Sequence, residues 1–180
     1  MSRGREDIEF MQRGVQYYVA ARYSAWSGLW VCGNLYHHAL EMFLKSGLSQ
    51  KRSLPELKKF QHKLVNIWNA FKADFPAALS QFDETITELA DFEEIRYPDE
   101  VLKNGAQIII DYHRQGQPER SVRPEPEYRL DFYELDRLIG AIMEAGNVNP
   151  AFYLSGLKPE VREMLGRDNP VAAYLLSRES

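Results

Sequence analysis

The stretch SLPELKKFQHKLVNIWNAFKADF, residues 53–75, carries the clearest periodic signal in the chain. Leu57, Phe60, Leu64, Ile67, Trp68, Phe71 and Phe75 recur mainly at steps of three and four, which gathers them on one face of a helix. Ser53 and Glu56 have the spacing of a capping box, in which each side chain reaches the backbone amide of the other residue. Pro55 fits the first turn, where its missing N–H is not needed, and Pro76 stops the run. The pattern predicts one long amphipathic helix with His62 near its middle, pointing away from the apolar stripe.

Similar segments flank it. Ile8, Met11, Val15 and Tyr18 predict a helix over about 6–23. Leu29, Cys32, Tyr36, Ala39, Leu40 and Phe43 predict a second over about 28–46, ended by Gly47 in a left-handed conformation. Leu79, Phe82, Ile86, Leu89, Ala90, Phe92 and Ile95 mark the fourth, and Pro98 stops it. Four amphipathic helices with short connectors predict an antiparallel up-and-down bundle, because each stripe is buried most simply against its neighbour. After Pro98 the character changes. Residues 107–112 (QIIIDY) and 128–132 (YRLDF) read as two short strands, joined by a connector rich in Gly, Pro, Arg and Glu. Asp131 and Glu134 then open a fifth helix that Gly146 closes. Asn149-Pro150, Lys158-Pro159 and Asn169-Pro170 start short helices near 150–156, 159–166 and 170–177. The expectation is a mainly α single domain over 1–180. It comprises a four-helix core over 5–100, a strand pair and loop over 101–131, and a fifth helix with a helical tail over 132–180.

The chain has 180 residues, enough for one proper core and few for two. Its net charge of −4 gives no support to RNA binding over a broad surface. Arg114, Arg120, Arg123 and Arg129 interleave with Tyr112, His113 and Tyr128, a combination that can grip single strands. Glu119, Glu125, Glu127 and Asp131 alternate with them and cancel much of the field. The lone Cys32 reads as a small core residue, and one cysteine makes neither a disulfide nor a zinc site. The first residues carry charge without an apolar run, so no secretory leader is expected. The most apolar window, 26–48, holds Asn34, His37, His38, Glu41 and Lys45, so no membrane span is expected either and the reading is cytoplasmic.

Asn34, His38, Glu41 and Lys45 lie at steps of four, three and four and share a helix face beside His37. Two readings stand. One is a polar strip facing a ligand groove or a dimer seam; the other is a solvated face with a Glu41–Lys45 pair of the favourable i,i+4 order. His38-x-x-Glu41 offers two metal donors, whereas a catalytic zinc takes three from the protein, so no metal and no cofactor are expected. His62 is either a phosphate contact or base, or a cross-helix hydrogen-bonder. Arg96, beside Tyr97, is either a fork for phosphate or carboxylate or a partner of Glu93 or Glu41. The aromatics of the first two helices, Tyr17, Tyr18, Tyr23, Trp26, Trp30 and Tyr36, belong mostly to the core, and any that are exposed would suggest an interface.

The residues LYHHALEMFLK, 35–45, followed by SGL, then HKL at 62–64 and FEEIRYPD at 92–99, together resemble the HEPN family over about residues 5–100. The resemblance implies an up-and-down helical bundle, often a homodimer. The family includes ribonuclease toxins, partners of small nucleotidyltransferases, and modules thought to bind nucleotides or other ligands. Its ribonucleases carry an Arg followed four to six residues later by a His on the last bundle helix. Here Pro98, Asp99 and Glu100 follow Arg96, and the next histidine is His113. The expected function is therefore a non-catalytic, HEPN-like binding or interaction protein. Its ligand is a nucleotide or other small anion held by His38, Glu41, Lys45, His62, Arg96 and Tyr97. The alternatives are a divergent HEPN ribonuclease of the toxin type and a structural partner of another protein.

Overall fold

A computed structural model describes residues 6–75, 78–111, 127–148 and 150–176. The architecture is mainly helical with one short sheet. Helices α1 (Glu6–Trp26) and α2 (Cys32–Ser49) are the longest and pack along each other. They are followed by α3 (Leu54–Lys59), α4 (Leu64–Asp74), α5 (Asp83–Asp91) and α6 (Pro98–Asn104). Strands β1 (Gln107–Asp111) and β2 (Glu127–Asp131) come next, then α7 (Phe132–Ala145), α8 (Ala151–Leu154), α9 (Pro159–Gly166) and α10 (Ala172–Leu176). Among the described residues, no helix is long and apolar enough to cross a membrane.

Helix α2 is the hub and touches α1, α3, α4, α5 and α7. Its apolar stripe is wide enough to be covered on several sides, with Tyr36, Leu40, Phe43, Leu44 and Leu48 all buried. Aromatic rings fill the gaps. Phe43 meets Tyr18 edge-on at 6.3 Å, and Tyr36 stacks on Phe132 at 5.6 Å between ring centres. Gly47, expected to end α2, lies within it, and a β-carbon there would sit 2.6 Å from the ring of Phe71. The glycine lets α4 approach closely rather than turning the chain. Cys32 is buried as expected, and burial pushes its thiol up to about 12, which leaves it unreactive.

The Ser53 cap forms as read: its amide and hydroxyl both donate to Glu56, at 2.8 and 2.6 Å. The helix it opens does not run on to Phe75. It ends at Lys59, Gln61 takes a positive φ of 53°, and α4 begins afresh at Leu64. Pro98 does more than stop the fourth segment, because it is the first residue of α6. The strands pair in parallel, Gln107 opposite Glu127 through Asp111 opposite Asp131. A parallel pair needs a crossover of a dozen or more residues, and the segment 112–126 has that length. Tyr112 and the Arg114–Arg123 loop lie outside the described residues. Phe132, read as the end of a strand, starts α7 under the cap of Asp131, whose side chain accepts from the Glu134 amide at 3.1 Å.

The C-terminal helices are tied to the core by a buried polar network. Arg22 of α1 pairs with Asp136 of α7, and both are almost wholly buried. The Tyr18 hydroxyl donates to Asp136 at 2.7 Å, and Asn169 donates to the Tyr18 oxygen at 2.8 Å. Asn169 also caps its own turn, accepting from the Val171 amide at 3.0 Å. Arg22 donates as well to the carbonyl of Arg167. Burial pushes the Asp136 carboxyl up to about 6, against the pull of Arg22 and of the Tyr18 hydroxyl.

Candidate functional site

The break between α3 and α4 creates the site. A non-glycine residue in the left-handed region costs about 1–2 kcal/mol and persists only where surrounding contacts hold it. Two contacts from α2 do so. The Lys45 ammonium donates to the Gln61 carbonyl at 2.7 Å. His37 Nε2 lies 3.1 Å from the His62 carbonyl, and since a carbonyl only accepts, that nitrogen carries the proton. The turn is thereby laid over the polar strip of α2. Glu41 and Lys45 are buried beneath it, so the strip is not a solvated face.

The Glu41 carboxylate stands at the centre. Lys45 holds Oε1 at 2.6 Å. His62 Nδ1 lies 3.0 Å from Oε2, and His38 Nδ1 lies 3.7 Å from the same oxygen. Burial works to raise the carboxyl, but its contacts with His38, Lys45 and His62 prevail and bring it down to about 2. Glu41 is thus an anion, and the His62 nitrogen facing it carries a proton. The ring of His62 is 63 % exposed, so its other nitrogen faces outward. His38 is half-buried against Tyr17, with ring centres 5.3 Å apart.

Beside this cluster opens a cleft of about 820 Å³, lined by His37, Lys58, Gln61, His62, Lys63, Leu64, Val65, Asn66, Ala90 and Glu93. That volume suits a small-molecule ligand. Lys58, Lys63 and His62 supply donors, and Asn66 adds an amide. Burial lowers the pKa of His37 despite the His62 carbonyl, Glu93 and Glu41, so its ring stays neutral at pH 7. Its Nδ1 is a buried lone pair without a hydrogen-bond partner, 4.0 Å from Glu93. Glu93, the one acid among the described residues of the wall, is paired with Arg96 at 3.0 Å.

No protein-family model matches the chain, and no curated protein or solved structure does.

Of the six residues singled out from sequence, four converge: His38, Glu41, Lys45 and His62. Arg96 stands at the edge of the cleft through Glu93 and does not cross to Glu41. Tyr97 is 64 % exposed, and its ring lies under the Arg96 guanidinium at 5.8 Å. Sequence reasoning missed the cleft wall, Lys58, Gln61, Lys63, Asn66 and Glu93. No local signal marked these residues, since their grouping depends on the turn at Gln61.

Proposed function

We propose that this chain is a non-catalytic, HEPN-like binding protein whose cleft takes a small anionic ligand, with nucleotides the first class to test. The observation that carries the reading is the cleft wall: two lysines and an exposed histidine, with the single acid among its described residues already paired to Arg96. Phosphate oxygens meet Lys58, Lys63 and the outer nitrogen of His62, while Asn66 offers an amide to the rest of the ligand. Arg96 neutralises Glu93 at the rim, and Tyr97 adds a face for stacking. The reading includes the up-and-down bundle and a homodimer. Leu29, Trp30 and Val31, exposed together in the α1–α2 connector, favour contact with a second copy.

A second reading has one observation in its favour. A buried carboxylate on Nδ1 of a histidine whose Nε2 faces outward is the arrangement that orients a general base. It supports a divergent ribonuclease acting through His62.

Native mass spectrometry with a panel of nucleotides tests both readings. The binding reading expects one nucleotide per chain, in a dimer. Reversing two charges in Lys58→Glu/Lys63→Glu weakens binding by about tenfold or more, since each reversal near a phosphate is worth about 1 kcal/mol. RNA incubated with the wild type stays intact on the binding reading. Cleavage lost in His62→Ala transfers the assignment to the ribonuclease. A protein that retains no nucleotide, or whose binding ignores the charge reversal, overturns the proposal.

A further inference from the structure

We infer that His38, Glu41 and His62 form a binding site for one divalent transition-metal ion of the zinc type. The three donors come from two elements, α2 and the α3–α4 turn, and all lie within 4.8 Å of one another. Two imidazole nitrogens and one carboxylate oxygen are a ligand set that selects zinc, cobalt, nickel or iron over magnesium or calcium. Bonds of 2.0–2.1 Å to a tetrahedral ion place neighbouring donors about 3.3 Å apart. The separations from Glu41 Oε2, 3.0 Å to His62 and 3.7 Å to His38, bracket that value.

Three further features fit. Lys45 holds Oε1; His62 Nδ1 lies 3.1 Å from Oε1 and 3.0 Å from Oε2, and Oε2 is the oxygen that also faces His38. A carboxylate ligand held in this way by an outer group is usual at metal sites. The turn that carries His62 is pinned at two carbonyls, by Lys45 on Gln61 and by His37 on His62. The 63 % exposure of His62 gives an ion a route in and leaves a coordination position open to solvent. On binding, the ion displaces the proton on His62 Nδ1 to solvent, and the ring keeps a proton on Nε2. The two sites share His62, but the inference does not rest on anion binding, because His38 and Glu41 do not line the cleft.

The test is a titration of chelator-treated full-length protein with cobalt(II) alone, followed by visible absorption, with zinc as competitor. One cobalt per chain is expected, with the intense bands of a low-coordinate site and displacement by zinc. His38→Ala and His62→Ala each reduce affinity by about tenfold or more. His62 is exposed, so that variant tests the site without endangering the fold, and circular dichroism checks both. Lys63→Ala, which weakens an anion site, leaves cobalt binding unchanged. Absence of saturable binding at roughly 100 µM cobalt, a Kd weaker than the micromolar range of useful sites, overturns the inference. So does binding that survives loss of both His38 and His62.

Discussion

Replacing Arg22 by Met destabilises the fold by about 3–5 kcal/mol at pH 7.5, because it strands the Asp136 carboxylate in a site with no access to water. Met keeps much of the volume of the stem, so the loss reports charge rather than a cavity. The deficit also depends on pH, and the sign follows from linkage. Unfolded, the carboxyl titrates near 3.8; folded, burial holds it at about 6. The folded state therefore binds the proton more tightly, and this contribution is full below the unfolded value and lost as pH rises through 6. Arg22 is the strongest influence pulling the folded value down. Without it the carboxyl moves higher still, the loss continues to higher pH, and the gap between variant and wild type widens. Urea midpoints at pH 5 and pH 7.5 check this: the deficit is larger at pH 7.5. Equal deficits at both pH values would show that Asp136 does not titrate as described. Because Arg22 also holds the Arg167 carbonyl, hydrogen exchange in 159–176 rises in the variant before that of α2.

The second large effect is at Glu41. Glu41→Gln removes the anion that Lys45 and His62 share and leaves the Lys45 ammonium buried with the Gln61 carbonyl as its hydrogen-bond acceptor. A carboxyl held at about 2 against 4.5 unfolded corresponds to roughly 3 kcal/mol, and solvent at the exposed His62 reduces this to about 2 kcal/mol. Here the folded value is depressed, so the stabilisation is present above 4.5 and lost as pH falls toward 2. The variant therefore loses about 2 kcal/mol at neutral pH and matches the wild type near pH 2. Amide exchange in the 60–63 turn speeds up in step, since the turn is pinned through Lys45. A change below about 0.5 kcal/mol, the scale of a surface substitution, would mean that the carboxylate is solvated and the turn is held by other contacts.

The helices with stripes of their own were readable. α1, α2, α7 and α9 stand within a few residues of their predicted spans, because an apolar face repeating at three and four is a local property. The break at 60–63 was not readable for the same reason. Leu57, Phe60, Leu64 and Ile67 keep their spacing across it, and neither Gly nor Pro marks it. What bends the chain there is Lys45 and His37 reaching over from α2. Pro98 was read as a stop when it is also a start, since the same missing N–H serves both. The strand pair was legible as two β-branched or alternating runs, but nothing in five residues encodes a parallel partner. Arg22 and Asp136 lie 114 residues apart, and each alone reads as a charge on a helix. In the candidate site the polar strip of α2 was visible, whereas the wall of the cleft, made by the turn, was not.

A backbone amide NMR titration with ATP in chelator-containing buffer checks that the cleft between the 58–66 segment and Glu93 takes an anion. Saturable shifts are expected at Lys58, Gln61, His62, Lys63, Asn66 and Glu93, weakening with added salt. Saturable shifts confined to other elements, or none at millimolar ATP, would contradict it.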